Sequence, residues 1–184
     1  VTGLVVLIPI LATYRVRAHG TGEPLDRRQE GWFILIGLRL TAVVRMAGLA
    51  AWLIDPAWMA WSAVPVPLGL RWAALGLGAI GGALLVWTLH TLGKNLTDTV
   101  VTRRDATLVT TGPYRWVRHP FYSSMALILA ADSLATANAF IAAGGVAVMA
   151  FIVARTRIEE GKLLERFGDD YRRHMARTGR FIPR

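Results

Sequence analysis

Cysteine is absent from the 184 residues of this chain. Its absence excludes disulfide bonds, thiol catalysis and cysteine-ligated metal sites. Histidine is scarce as well, and the four histidines, at positions 19, 90, 119 and 174, never stand at the spacing of a ligand pair. We therefore expect no metal site. Acidic residues number 12 against 21 Lys and Arg, which leaves the chain with a net charge of +9.

Long apolar runs make up much of the rest, since 54% of the residues are hydrophobic and the mean hydropathy is +0.42. The charged residues are collected in short stretches between those runs rather than spread along the chain. This segregation is typical of an integral membrane protein with several spans and charged loops. A nucleic-acid-binding protein can carry a similar positive charge but not apolar runs of this length, so we expect no nucleic-acid partner.

Five apolar windows predict an all-α integral membrane protein with about five transmembrane helices. The last two windows are short and are joined by the stretch LATAN, which predicts a helical hairpin. The windows cover residues 1–14, 31–54, 68–92, 121–135 and 137–154.

Charged side chains also fall deep inside the predicted spans. Arg39 and Arg45 lie in the second window, and Asp132 lies in the fourth. Because an unpaired charge in the hydrocarbon core is costly, such residues normally face the helix bundle and find partners. We therefore expect Asp132 to pair with one of the two arginines, or all three residues to line a polar cavity.

The basic residues indicate how the spans are oriented. The loop 15–30 holds four Arg, the loop 93–120 holds five Lys or Arg, and the tail from residue 155 holds nine. The connections 55–67 and 134–138 hold none. Since Lys and Arg are enriched in cytoplasmic loops, this alternation predicts an outside N-terminus and a cytoplasmic C-terminus. We expect a multi-pass protein of the cell inner membrane.

The densest polar cluster, LVTTGPYRWVRHPFY at 108–122, lies at the start of the fourth window. The Gly112-Pro113 pair marks a turn, so this stretch is not predicted to be one regular helix. An irregular backbone at membrane depth is tolerated where it is buried in protein or lines a polar cavity. Arg118 and His119 supply hydrogen-bond donors there.

The segment after the fifth window is the second polar stretch. It reads RTRIEEGKLLERFGDDYRRH over residues 155–174. Because a hairpin brings its two ends together, we expect this segment and residues 108–122 to meet at the cytoplasmic face. Apolar residues recur in the tail at helical spacing, which predicts an amphipathic helix. They are Leu164, Phe167, Tyr171 and Met175.

Two adjacent carboxylates, Glu159 and Glu160, stand where the fifth window joins the tail. One interpretation makes them solvated partners of neighbouring basic residues. The other makes them functional groups, because they lie next to the Arg-His-Pro loop and such clusters perturb the pKa values of their members. Both interpretations are open at this point.

The stretches LVTTGPYRWVRHPFY and RIEEGKLLERFGDDYRRH, followed by the closing RFIP, resemble the isoprenylcysteine carboxyl methyltransferase family and its bacterial relatives. That wider group includes phospholipid N-methyltransferases. The resemblance covers roughly residues 90–183 and implies an integral-membrane enzyme that uses S-adenosylmethionine and releases S-adenosylhomocysteine. It implies a cytoplasmic cofactor pocket closed over by the C-terminal helix. The implied acceptor is lipophilic, either an isoprenoid or prenylcysteine-like carboxylate or a lipid head group.

The resemblance also implies roles for individual residues. Arg118, Glu159 and Glu160 would lie near the reacting methyl group as the catalytic candidates. One position departs from the family, because His174 stands where a second Tyr often follows FGxxY. The cofactor would be bound by Leu108, Val109, Gly112, Pro113, Tyr114, His119, Pro120 and Tyr122.

Three functions remain open on the sequence alone. The first is a methyltransferase, with residues 1–92 as transmembrane helices on the acceptor side and residues 93–184 as the cofactor-binding core. The second is an NADPH oxidoreductase similar to membrane sterol reductases, which share this fold in their C-terminal part but are usually much longer. The third is a non-catalytic membrane scaffold. For a methyltransferase, the sequence does not choose between O-, N- and S-methylation.

Overall fold

The computed structural model describes residues 31–93 and 107–184. Within these ranges the chain is helical, with two isolated β-bridges and no strands. Two short 3₁₀ helices, Pro56–Ser62 and Gly112–Arg115, precede the second and third of the longer helices. The four α-helices are α1 Trp32–Ile54, α2 Leu68–Leu92, α3 Pro120–Thr136 and α4 Ala139–Arg177.

Three of these helices, α1, α2 and α4, are long and apolar enough to cross a membrane. The windows 31–54 and 68–92 coincide with α1 and α2. Helix α3 has 17 residues, and its length of ~25 Å is less than the ~30 Å of a typical hydrocarbon core. The predicted first span, 1–14, lies outside the described residues. The total of five spans therefore stays a prediction.

The helices pack in the order α1, α4, α3, α2, with the most extensive contact between α2 and α3. Glycines permit the close approaches. A Cβ atom at Gly81 would lie 3.0 Å from side-chain atoms of Leu127 and Ile128 on α3. A Cβ atom at Gly48 would lie 2.5 Å from the ring of Phe140 on α4. Because helices in lipid associate through tight packing, small residues at these crossings hold the bundle together.

The outer surfaces of the spanning helices are apolar. In the apolar windows of α1, α2 and α4, only 17%, 28% and 28% of the residues are buried. Large side chains on these surfaces are exposed, including Phe33, Val43, Leu68 and Trp72. An exposed apolar surface of this extent is expected where helices face lipid.

The interior ion pair predicted from the sequence is present. Arg45 on α1 donates a hydrogen bond from Nη2 to Oδ2 of Asp132 on α3 at 3.2 Å. The two side chains are 4% and 16% exposed, so the pair lies inside the bundle. The side chain of Arg45 passes Gly144 of α4, where an added Cβ would lie 3.0 Å from it. Arg39 is exposed, so the expectation that it faces the bundle is not met among the described residues.

The first 3₁₀ helix is fastened to the turn between α3 and α4 by Asn138. The Asn138 amide nitrogen donates to the Met59 carbonyl at 2.9 Å. Its Oδ1 accepts hydrogen bonds from the Ser62 hydroxyl and the Ile141 amide, both at 3.1 Å. The bond from Ile141 caps the N-terminus of α4. One side chain therefore joins three elements at this end of the bundle.

We expect Asn138→Ala to lower the free energy of unfolding by about 2 kcal/mol, because it removes a helix cap and one donor to a buried carbonyl. Thermal unfolding of the purified protein in detergent, followed by far-UV circular dichroism, measures the loss. Asn138→Ser is the matched control, since it keeps a capping oxygen and should lose less. Equal losses in the two variants would show that the cap contributes nothing.

Helix α4 runs without a break from the apolar span into the charged tail. Residues 139–154 carry no charged side chain, and Arg155 begins the charged part. The amphipathic helix predicted after the span continues α4, with a kink at Gly168, where φ is 50° and ψ is −122°. Glycine adopts this conformation without the steric cost that a side chain would bring. Beyond the kink Tyr171 is buried and Arg172 is exposed, as an amphipathic helix requires.

Candidate active site

The C-terminal segment returns to the loop before α3 and pairs with it. The Arg118 amide donates to the Gly179 carbonyl at 2.9 Å, and the His119 amide donates to the Arg180 carbonyl at 3.1 Å. The Gly179 amide donates in turn to the Trp116 carbonyl at 3.2 Å. Because the loop is not helical at these residues, its amides are free for this pairing. The end of the chain is thereby fixed across the start of α3.

Glu160 of α4 lies at the centre of the charged groups beneath this segment. Its Oε1 accepts hydrogen bonds from Arg118 Nε at 2.9 Å and from Arg180 Nε at 3.2 Å. The His119 Nε2 atom lies 3.3 Å from the same oxygen, and Oε2 accepts a hydrogen bond from Arg180 Nη2. The Glu160 side chain is 6% exposed, so these contacts replace water. The carboxylate cluster, as we call this group, consists of Arg118, His119, Tyr122, Glu159, Glu160 and Arg180.

Arg118 is held by α4 at two places. Its Nε donates to Glu160, while its Nη1 donates to the carbonyls of Thr178 at 2.5 Å and Met175 at 3.1 Å. The last carbonyls of a helix have no partner within it, and they favour a positive charge. Arg118 therefore donates hydrogen bonds to the last carbonyls of α4 and connects this end of the helix to Glu160 in its middle.

Glu159 is the more open of the two carboxylates, with 26% of its side chain exposed. Its Oε2 accepts a hydrogen bond from the Tyr122 hydroxyl at 2.8 Å. The His119 ring stacks on the Tyr122 ring with 5.5 Å between centroids, and His119 Nδ1 lies 3.9 Å from Glu159. Phe181 packs against the His119 ring at 6.0 Å. The Tyr122 hydroxyl therefore orients the Glu159 carboxylate. The exposed part of the Glu159 side chain can still contact another group.

The surroundings of Glu160 fix its charge. Burial raises the pKa of this carboxyl group, but the hydrogen bonds from His119 and the two arginines outweigh burial and lower the pKa to about 2. A carboxylate with so low a pKa stays ionised at neutral pH and is a weak base. Glu160 is therefore suited to holding cations in place and unsuited to accepting a proton.

We expect the stability that Glu160 contributes to be complete above pH 4.5 and to be lost as the pH falls towards 2, because the pKa of the folded state lies below the ordinary 4.5. The shift corresponds to about 3 kcal/mol. Thermal unfolding in detergent across this range should fall more steeply for the wild type than for Glu160→Gln. Glu165→Gln, at an exposed position of the same helix, should keep the wild-type slope. Parallel curves for the wild type and Glu160→Gln would contradict this assignment.

A cavity of about 530 Å³, which we call the groove, adjoins the carboxylate cluster. The loop before α3 forms one wall, and the part of α4 beyond the Gly168 kink forms the other. Thr178 connects the two sites, because it lines the groove while its carbonyl accepts a hydrogen bond from Arg118. The lining residues are Leu108, Thr110, Arg115, Asp170, Arg173, His174, Arg177 and Thr178.

His174 gives the groove an uncharged polar side chain. Burial, followed by the charges of Arg118 and His119, lowers the pKa of His174 below its ordinary value. The imidazole is therefore neutral at pH 7 and can both donate and accept a hydrogen bond.

The groove fits the cofactor that the resemblance implies. Its volume lies within the range of roughly 300–1,000 Å³ that is usual for small-molecule sites. Guanidinium groups suit the carboxylate of the amino-acid part of S-adenosylmethionine, and Leu108 offers an apolar surface to its base. The arginines of the lining are Arg115, Arg173 and Arg177.

The residues predicted from the sequence fall in three places. The carboxylate cluster brings Arg118 together with Glu160, as the hairpin predicts, and holds Glu159 beside them. His119 and Tyr122 lie in the same cluster, while Leu108 lines the groove. The other predicted cofactor residues do not line the groove. They are Val109, Gly112, Pro113, Tyr114 and Pro120.

Gly112 and Pro113 instead shape the turn against the end of α2. Gly112 has a φ of 57°, and a Cβ there would lie 2.6 Å from the Thr91 hydroxyl oxygen. Tyr114 lies on the side of Glu159, since burial and then the negative charge of Glu159 raise the pKa of its hydroxyl. Pro120 is buried in the first turn of α3, where its missing amide has no intrahelical partner to lose.

Arg180 is the principal site residue that sequence reasoning missed. Its signal was present, because it opens the RFIP stretch that carries part of the resemblance. His174, the one departure from the family pattern, lines the groove. The sequence did not single out the groove arginines, since basic residues are frequent both in the loop 93–120 and throughout the tail.

The sequence profile of the isoprenylcysteine carboxyl methyltransferase family matches residues 74–165, which is half of the chain. A solved structure of a eukaryotic intramembrane Ras methyltransferase, an isoprenylcysteine carboxyl methyltransferase without a monobody, is 27% identical and superposes with a TM-score of 0.60. The match covers 79% of this chain and 51% of that one, so the chain spans about half the length of this relative. No curated protein sequence matches the chain.

Proposed function

Because the chain belongs to the isoprenylcysteine carboxyl methyltransferase family, we propose that it is an integral-membrane methyltransferase. It transfers a methyl group from S-adenosylmethionine to a lipophilic acceptor and releases S-adenosylhomocysteine. The observation that supports this most directly is that a groove of cofactor size adjoins the carboxylate cluster, with Thr178 lining the groove and accepting a hydrogen bond from Arg118. Both lie at one end of an apolar helix bundle, where a water-soluble cofactor can meet a lipid-embedded acceptor.

On the cofactor side, Leu108, His174 and Thr178 would hold the nucleoside, and the groove arginines would hold the carboxylate. His119 and Tyr122 are proposed to complete the wall between cofactor and acceptor. When bound, S-adenosylmethionine supplies an electrophilic methyl group on a sulfonium. Much of the rate of such a transfer comes from holding the reacting atoms in line. The contacts of Arg118 with the end of α4 give the groove wall the rigidity that this positioning needs.

On the acceptor side, Arg118, Glu159 and Glu160 are proposed to have different tasks. Glu160 keeps Arg118 in position, because it is ionised and hydrogen-bonded to that guanidinium. Glu159 is more exposed and is held by Tyr122, so it is the carboxylate that can accept a hydrogen bond from a donor group of the acceptor. The apolar part of the acceptor would lie against the hydrophobic side chains around Tyr122, which include Ile152.

The acceptor group that this site favours is a carboxylate, as in a prenylcysteine. A carboxylate is already ionised at pH 7 and needs a cation to orient it rather than a base. A lipid amine would first have to lose a proton, and Glu160 is too weak a base to take it. The guanidinium groups of the site, which suit a carboxylate, therefore support O-methylation over N-methylation.

The charge pattern of the loops supports a groove on the cytoplasmic side of the cell inner membrane, with the N-terminus outside. In this arrangement residues 1–92 carry the acceptor-side helices and residues 93–184 the cofactor-binding core.

The chain has no native cysteine, so single cysteines can report on which side of the membrane a residue lies. A membrane-impermeant thiol reagent should label Ala57→Cys in intact cells and Ala176→Cys only after lysis, both positions being exposed. Labelling at 176 in intact cells would reverse the orientation.

Ligand titration of the purified protein tests the proposed function against a reductase and a scaffold. S-adenosylhomocysteine at one hundred times its dissociation constant should raise the free energy of unfolding by about 2.7 kcal/mol. NADPH should leave it unchanged. A reductase would give the reverse result, and a scaffold would respond to neither ligand.

A further inference from the structure

Two exposed tryptophans lie together near the C-terminal end of α2. The Trp87 ring of α2 meets the Trp116 ring of the loop before α3 edge to face, with 5.7 Å between the centroids. The two residues are still 45% and 40% exposed. Large aromatic side chains that adjoin each other and stay exposed mark an interaction surface. We call this pair of rings the tryptophan shelf.

The position of Trp87 along α2 corresponds to a membrane boundary. Helix α2 has 25 residues, so its length of ~37 Å exceeds the ~30 Å of a typical hydrocarbon core by ~7 Å. Trp87 precedes the last residue of α2, Leu92, by a similar ~7 Å along the helix axis. Because tryptophan is enriched at the membrane–water interface, we expect the tryptophan shelf at the level of the lipid head groups.

Arg115 stacks on the tryptophan shelf. The central carbon of its guanidinium lies 3.9 Å from the centroid of the Trp116 ring. In such a stacked arrangement the N–H groups at the edge of the guanidinium remain available to an anion. Arg115 is exposed, and it forms no ion pair or side-chain hydrogen bond within the part of the chain that the structure describes. A guanidinium with free donors is suited to binding phosphate.

The charges around Arg115 favour an anion as well. Arg173 and Arg177 line the groove together with Arg115, and Asp170 is the acidic residue of this lining. Asp170 already accepts a hydrogen bond from Arg173, so Arg115 and Arg177 leave an excess of positive charge. Anionic lipids give the inner leaflet a negative surface, and their phosphates lie at the level expected for the tryptophan shelf.

We propose that an anionic phospholipid binds at the tryptophan shelf, with its phosphate on Arg115. The glycerol and the first carbons of its acyl chains lie against the rings of Trp87 and Trp116. This lipid is a bound partner and not the methyl acceptor, so the inference goes beyond the proposed function and does not depend on it. Arg173 and Arg177 remain available to a cofactor in the groove.

Quenching of tryptophan fluorescence by brominated lipids tests the proposal without any cofactor. The full chain is reconstituted in phosphatidylcholine vesicles that contain an increasing fraction of phosphatidylglycerol, brominated near the head-group end of its acyl chains. A parallel series contains brominated phosphatidylcholine instead. We expect stronger quenching by the brominated phosphatidylglycerol, because it collects at the tryptophan shelf. The double variant Trp87→Phe with Trp116→Phe should lose this excess and keep the quenching of the other tryptophans.

Arg115→Ala tests the phosphate contact and leaves both rings in place. The fraction of brominated phosphatidylglycerol needed for half-maximal quenching should rise about fivefold, the effect of one basic residue at an anionic surface. Arg172→Ala is the matched control, because it removes the same charge from an exposed position where Arg172 is paired with Asp169. It should keep the wild-type half-maximal fraction.

Three results would overturn this inference. One is equal quenching of the wild type by the two brominated lipids. Another is an equal rise in Arg115→Ala and Arg172→Ala, which would mean that the overall positive charge attracts the lipid without a site. The third is suppression of the excess quenching by millimolar inorganic phosphate, which would mean that Arg115 takes phosphate from solution. None of these measurements involves S-adenosylmethionine, so a failure of the proposed function would not change them.

Discussion

Arg118→Ala is expected to abolish methyl transfer and to lower the free energy of unfolding by about 3–5 kcal/mol at the same time. The guanidinium contacts Glu160 and the carbonyls of Met175 and Thr178, so its loss removes one cation from a buried carboxylate and the donor to two backbone acceptors. Cofactor affinity should fall as well, because Thr178 belongs to the groove wall. Thermal unfolding and calorimetric titration with S-adenosylhomocysteine on the same preparation measure both losses.

Arg172→Ala is the matched control for this experiment. Arg172 forms an ion pair with Asp169 on the same helix, but the two side chains are 72% and 75% exposed. Its removal should change the free energy of unfolding by no more than about 0.5 kcal/mol.

Arg118→Lys keeps the charge but loses the planar fork that joins a carboxylate to two carbonyls, so most of the loss of stability seen in Arg118→Ala should remain. Loss of activity with wild-type stability and cofactor affinity would contradict the structural role given to Arg118.

Arg45→Leu should lower the free energy of unfolding by about 3 kcal/mol or more, because it leaves the Asp132 carboxyl group unpaired inside the bundle. Arg39→Leu on the same helix is the matched control. Arg39 is exposed, so replacing it with an apolar residue should cost no stability in a bilayer. Unfolding in lipid nanodiscs measures both variants in the environment where the difference arises.

The double variant Arg45→Leu with Asp132→Leu measures the interaction between the two side chains separately from the contribution of each one. Removing both charges leaves no uncompensated group in the apolar interior, so we expect it to recover most of the stability that Arg45→Leu loses. The coupling between the two sites should be at least about 1 kcal/mol in a double-mutant cycle. Strictly additive losses would mean that the two side chains do not stabilise each other.

The spans that the sequence predicts best are the two longest apolar windows. The windows 31–54 and 68–92 agree with α1 and α2 because residues that end helices flank them, Asp55-Pro56 after the first, Pro67 before the second and Gly93 after it. The window 137–154 ends too early as a helix, since α4 continues to Arg177. Hydropathy marks where the chain leaves the apolar region but not where the helix stops. The apolar residues of the tail recur at helical spacing, so α4 continues beyond the apolar region to Arg177, with a bend at Gly168.

The partners of the candidate site residues were harder to predict than the residues themselves. The predicted hairpin places Arg118 near Glu160, because both stand at the same end of neighbouring helices. It contains no information on Arg180, whose approach depends on main-chain pairing between the C-terminal segment and the loop before α3. Backbone hydrogen bonds of this kind leave no pattern in the side chains. For the same reason Glu160 is held by distant residues rather than by its basic neighbours in sequence.

Arg39 shows a different limit of sequence reasoning. The cost of an unpaired charge applies equally to Arg39 and Arg45, but only Arg45 faces a carboxylate within reach. Which face of α1 meets the bundle is decided by tight contacts, such as that between Gly48 and Phe140, rather than by hydropathy. A window that is apolar on all sides does not reveal its packed face.

Transfer of a deuterated methyl group is the most direct test of the central claim. The purified protein would be placed in proteoliposomes with deuterated-methyl S-adenosylmethionine and a prenylcysteine analogue, and mass spectrometry would follow the label. We expect the label as a methyl ester on the carboxyl group of the analogue, and no label with Arg118→Ala. Absence of label from the analogue, and from every lipid of a membrane extract offered in its place, would contradict the assignment of this protein as a membrane methyltransferase.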